Sequence, residues 1–156
     1  MGVALSKVVI GVTAYDIASR FIGQREMRGR LDNPQIMAML RLDARWPQHD
    51  ETPWCSAFVN YVAWLLGLPR SERLNARSWL DVGRSIEPDM VEGGFDVVVL
   101  SRGSNPAHGH VGFFHGWRAS EQLEHMVVVL GGNQGDEVSV KAYSQSRILS
   151  IQRLIG

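Results

Sequence analysis

The sequence predicts an α+β fold in which N-terminal helices pack on a small antiparallel β-sheet. In the first half, apolar residues recur at helical spacing behind recognisable capping residues. In the second half, five β-branched or alternating runs follow one another. The turns between those runs are short and rich in Gly, Asn, Asp and Ser, which suits antiparallel neighbours. Helices followed by such a sheet define the class.

The first helix begins at "TAYD" (13–16), a capping box with Asp in the place usually held by Glu, followed by Ile17, Phe21 and Ile22 at helical spacing. In "DNPQIMAMLRL", Asn33 caps a second helix and Pro34 takes its first position, with Ile36, Met39 and Leu40 on one face. A third helix opens within "ETPWCSAFVNYVAWLLG" (51–67). Thr52 is its expected cap and Pro53 its opening residue, while Gly67 and Pro69 stop it. Phe58, Val59, Val62, Leu65 and Leu66 form the apolar stripe that would fix this helix to the sheet. Strands are expected at 95–101, 110–117, 125–132, 137–143 and 148–154.

At 156 residues the chain fits a single domain, 1–156. Sixteen basic residues balance sixteen acidic ones, so there is no global electrostatic reason to expect nucleic acid or an anionic membrane as partner. One cysteine forms no internal disulfide. Near the N-terminus "VVIGV" is short, only Lys7 precedes it, and no small-x-small cleavage site follows. No apolar run approaches the roughly 20 residues that span a bilayer. These features lead to the expectation of a monomer made in the cytoplasm without a signal peptide.

Cys55 falls in the first turn of the third helix, where backbone N–H groups lack partners and the macrodipole end is positive. Both effects favour thiolate over thiol, and the same N–H groups suit an oxyanion. The plainer alternative is a small buried hydrophobe. A nucleophilic cysteine needs a base, and "NPAHGHVGFFHGW" holds three of the five histidines. His110 starts a strand directly after a glycine, His108 precedes it in the loop, and His115 faces the other side of a regular strand. No second cysteine or placed acidic ligand completes a tetrahedral set with His108 and His110, so neither metal nor other cofactor is expected. After the next strand, Asn133 or Gln134 could accept from an imidazole N–H; a plain turn is the alternative.

Taken in order, "TPWCSAFVNYV", "ARSWLDVG", "FDVVVL", "GHVGFF" and "VLGGNQGDEVSV" resemble the NlpC-type and CHAP papain-like cell-wall hydrolases, especially the small branch of phage lysis enzymes and bacterial effectors. The resemblance covers about residues 13–154 and leaves no stretch for a separate wall-binding domain. It implies that Cys55 is the nucleophile, His110 the general base and then acid, and Asn133 the residue that orients it, with Gln134 in reserve. The implied reaction is hydrolysis of an amide in the peptidoglycan stem peptide, or at its link to the sugar, in the cell wall or periplasm. Implied partners are a holin for release of a phage enzyme, or an immunity protein for a delivered effector toxin. One alternative is an inactive wall-binding module on the same fold; another is a papain-like enzyme acting on a host protein, or an acyltransferase, though nothing in the sequence points to a protein or lipid substrate. Trp54, Arg77, Trp79 and His108 are the candidate substrate-binding residues, Arg77 for a carboxylate and the tryptophans for flat amide faces. Two places depart from the family pattern: Phe95 stands where relatives have glycine, and Gly131 and Gly132 stand where several CHAP members have an acidic residue.

Overall fold

A computed structural model describes residues 11–29, 31–119 and 125–156. The apolar stretch at 8–12 lies mostly outside the described residues. Three α-helices, α1 (Ala14–Ser19), α2 (Pro34–Arg41) and α3 (Cys55–Leu65), precede a six-stranded sheet. Its strands are β1 (Arg84–Ser85), β2 (Asp96–Ser101), β3 (Gly109–Ala119), β4 (His125–Gly131), β5 (Ser139–Ser144) and β6 (Ile148–Arg153). They lie in the order β1-β6-β2-β3-β4-β5, and every pairing is antiparallel. Each of the five expected runs is a strand. The two-residue β1 carried too little pattern to be seen in the sequence.

The first two helices start where their local chemistry directs. Thr13 and Asp16 exchange both bonds of the capping box. The Asn33 side chain accepts from the Gln35 N–H, with Pro34 at the first position. On α1 the buried residues are Ala14 and Ala18, while Ile22 is exposed. Small residues there let the short helix lie close to its neighbours.

The start of α3 differs from expectation. Trp54, not Thr52, is the residue at the cap, and its side chain makes no capping bond to the first turn. The Trp54 indole is fully buried and donates to Glu26 Oε1 at 2.8 Å, so a tertiary contact fixes where the helix begins. Cys55 is therefore the first helical residue. Phe58, Val59 and Val62 are buried as the stripe predicts, but Leu65, the last residue of the helix, is 46% exposed.

Buried side chains occupy both faces of the sheet. Val97, Val99, Val111, Phe113 and Leu130 pack with the helices. Val98, Leu100, Phe114, Val127, Val129, Tyr143 and Ile151 form a second cluster. Alternation along β2 and β3 assigns these sets to opposite faces. Burying Val98, Leu100 and Ile151 stabilises the second face by roughly 1.5–3 kcal/mol for each side chain.

Candidate active site

Three segments build the site: the first turn of α3, the start of β3, and the turn after β4. Cys55 is 6% exposed, and the N–H groups of Val111, Ser56 and Cys55 itself act on its sulfur. Val111 directly follows His110, so the β3 backbone beside the histidine lies near the thiol. Burial pushes the Cys55 thiol up, against the Val111 N–H, the Arg102 guanidinium and the helix-start N–H groups, which pull it down. The thiolate expected from helix position alone is thus opposed by desolvation.

His110 is completely buried. Its Nε2 lies 2.9 Å from Gln134 Oε1, while its Nδ1 has no hydrogen-bond partner among the described residues. The partner of the ring is therefore Gln134 and not Asn133, the first candidate for that place. Asn133 sits at φ 58° in the turn and directs the chain so that the next residue points inward. Gln134 Nε2 donates to Ser139 O at 2.6 Å and to Val129 O at 3.3 Å. With the amide nitrogen so engaged, the amide oxygen must face the imidazole. Tyr143 also donates its hydroxyl to Oε1, at 3.0 Å, and its ring lies 5.3 Å from the His110 ring.

These bonds fix the tautomer. An acceptor oxygen at Nε2 requires the neutral ring to carry its proton there, which leaves the Nδ1 lone pair bare. Burial is the main cause that pushes the His110 pKa down to about 4. The Gln134 bond raises it, and the Arg102, Arg147 and Lys141 charges lower it further. Burial likewise pushes Tyr143 up to about 12, so its hydroxyl stays a donor at neutral pH.

The two glycines of the turn have a steric reason. A Cβ on Gly131 would stand 2.9 Å from Gln134 Oε1 and 3.3 Å from His110 Nε2. One on Gly132 would stand 2.6 Å from the Trp54 ring and 2.9 Å from Phe58 Cβ. Glycine at 131 thus makes room for Gln134 to reach back to the histidine from the far side of the turn.

The candidate substrate-binding residues separate into two groups. Trp54 and Trp79 are fully buried, with the Trp79 indole donating to Ser56 Oγ at 2.9 Å, so neither lines a groove. Arg77 holds loop carbonyls instead of a carboxylate, donating to His108 O at 2.8 Å and Asn105 O at 3.4 Å. His108 does line the cavity beside Cys55, a space of about 330 Å³ that also touches Pro53, Leu74, Asn75 and Arg102. His115, at a bulge in β3, is exposed and bonds Tyr15 Oη at 2.5 Å. No group of three or more His, Cys, Asp or Glu side chains among the described residues is arranged to hold a metal.

Sequence reasoning missed a buried polar pair on α3. Ser56 Oγ donates to Arg73 O at 2.6 Å, and Asn60 Nδ2 donates to the same carbonyl at 3.1 Å. Asn60 Oδ1 accepts from the Glu72 N–H at 2.9 Å. Polar residues four apart within an otherwise apolar stretch were the available signal.

No family model matches the sequence, and no curated protein matches it. Among solved structures, the chain is similar to NlpC1 from Trichomonas vaginalis, with a TM-score of 0.58 and 16% identity over 95% of this chain and 46% of that one. It is also similar to NlpC2 from Trichomonas vaginalis, with a TM-score of 0.57 and 15% identity over 94% of this chain and 49% of that one. The chain thus spans about half the length of each neighbour. Helices packed on this six-stranded antiparallel sheet, with those likenesses, define an α+β papain-like fold of the NlpC type. At such identities the likeness is one of fold.

Proposed function

We propose that the protein is a cysteine peptidase or amidase that hydrolyses an amide bond of peptidoglycan peptide. The observation that carries this reading is the state of His110, a buried imidazole with Nε2 pinned by Gln134 and Nδ1 unpartnered among the described residues. A bare, oriented ring nitrogen one residue before a segment whose N–H lies near a cysteine sulfur suits a nucleophile–base pair.

In the proposed reaction His110 Nδ1 takes the Cys55 proton as the sulfur attacks the amide carbonyl. Burial favours the neutral forms of both groups, so transfer accompanies attack. N–H groups of the first turn of α3 stabilise the oxyanion. The C–N bond then breaks, and the imidazolium returns its proton to the departing amine, leaving a thioester. Water, deprotonated by Nδ1, attacks the thioester; the carboxylic acid leaves and the thiol is restored. Gln134 keeps the ring in one tautomer throughout.

The proposed setting is a phage lysis enzyme made in the cytoplasm and released through a holin to reach the wall. A delivered effector toxin paired with an immunity protein performs the same chemistry in another setting. The near-complete burial of Cys55 favours a second reading, a wall-binding module without turnover. Digestion of purified peptidoglycan by wild type and Cys55→Ala, with products identified by mass spectrometry, tests the proposal. Fragments from the wild type alone support it, and their masses name the bond. Equal fragments from both proteins, or binding without fragments from either, overturn it.

A further inference from the structure

We propose that Arg102 makes the cavity beside Cys55 a carboxylate subsite, so that the bond cleaved lies within a few bonds of a free carboxylate on the substrate peptide. This rests on the hydrolase reading of the same site.

The cavity contains the nucleophile and no acidic residue; its lining includes Cys55, Asn75, Arg102 and His108. Arg102 is its one permanently charged side chain. Two arginines of neighbouring segments have structural work. Arg77 holds the carbonyls of His108 and Asn105, and Arg147 donates twice to Ser101 O. Farther away, Arg70 is bidentate on Asp43 and Arg153 on Asp96. Arg102, by contrast, makes no hydrogen bond or ion pair among the described residues. It is exposed on the loop between β2 and β3, which Arg77 ties down on its far side.

An unspent guanidinium beside a reactive thiol, in a space of about 330 Å³ free of carboxylates, matches a planar anion that arrives with the substrate. Asn75, also in the lining, can add a neutral donor. The charge of Arg102 also acts on Cys55, His110 and Tyr143, which places it within electrostatic reach of the whole catalytic group. A carboxylate bound there would neutralise that charge while the peptide is held. Arg77, the residue whose type suggested carboxylate binding in the sequence, instead positions the loop that carries Arg102.

The test uses the fact that Cys55 is the only cysteine. Iodoacetate and iodoacetamide react by the same step, in which sulfur bonds the methylene carbon and iodide leaves. They differ only by a carboxylate against a carboxamide. A change in the thiolate population moves both rates together, so their ratio reports the cavity. The iodoacetate-to-iodoacetamide ratio is expected to fall about tenfold in Arg102→Gln, the scale of a charge-assisted bond near a surface. Arg102→Lys is expected to retain part of the preference. An unchanged ratio in Arg102→Gln overturns the proposal.

Stem peptides in free-acid and amidated forms provide the second arm. Wild type is expected to cleave the acid form faster, and Arg102→Gln to lose that preference; a preference kept by the variant counts against the subsite. If neither peptide is cleaved while the alkylation ratio still falls, the subsite stands and the hydrolase reading is what fails.

Discussion

The amide of Gln134 donates to Ser139 O and Val129 O, so its oxygen has no choice but to face His110. Replacing it with leucine removes the acceptor and frees the ring to take the other tautomer. Gln134→Leu is expected to lower kcat by about 100-fold or more, in the range of lost acid–base catalysis. Asn133→Gly, which keeps the positive φ, is expected to change kcat less than about twofold. Nitrogen chemical shifts of the His110 ring check the tautomer whether or not turnover is observed. A tautomer unchanged in Gln134→Leu would refute this role. The same burial has a pH signature. The ordinary His value of 6.5 falls to about 4 in the folded protein. The unfolded chain therefore binds a proton that the folded one refuses as pH drops through that window. Stability is expected to decline by about 3 kcal/mol between pH 6.5 and 4 from this group, and to be flat in its contribution above 6.5. Urea unfolding at several pH values, compared with His110→Phe, isolates the effect: the variant should lose that part of the acid sensitivity.

At the scale of elements, the turn after β4 and the start of α3 have to approach closely for the site to form. Gly132→Ala forces a methyl group to within 2.6 Å of the Trp54 ring, and Trp54 is held in place by Glu26. A loss of about 1–3 kcal/mol is expected, the usual cost of overpacking, read as a lower urea midpoint with unchanged slope. What the sequence disclosed about these elements follows from how local each signal is. The caps of α1 and α2 were legible because Thr13–Asp16 and Asn33–Pro34 bond within one turn. Cys55 and His110 stood out because each opens an element. The start of α3 was not legible, because a contact 28 residues away sets it. Trp54 and Trp79 were ambiguous for the same reason, since an indole serves a groove or a core equally until its N–H partner is known. Asn133 and Gln134 are adjacent, and only the direction of the turn decides between them.

Across the whole molecule, a relay of polar contacts connects the buried helix to the exposed wall of the cavity. Ser56 and Asn60 on α3 hold the backbone at 72–73, which leads into the short helical turn Ala76–Asp81. That turn carries Trp79, anchored on Ser56, and Arg77, which holds the carbonyls of Asn105 and His108. The loop so held bears Arg102 and His108, while Cys55 begins the helix from which the relay starts. Cys55 and the cavity wall are therefore parts of one frame, although they are about 50 residues apart in sequence. Arg77→Met keeps the aliphatic stem and removes both donations. Because Arg77 is only partly buried and its bonds go to a surface loop, the global unfolding midpoint should shift little, by less than about 1 kcal/mol equivalent. The loop itself should open more often. Amide hydrogen exchange across 102–109 is expected to quicken by about tenfold while the β2–β3 ladder keeps its protection. If the loop is as slow in Arg77→Met as in wild type, the cavity wall is held by something other than this relay. If exchange quickens along β3 as well, Arg77 supports the sheet and not the loop alone.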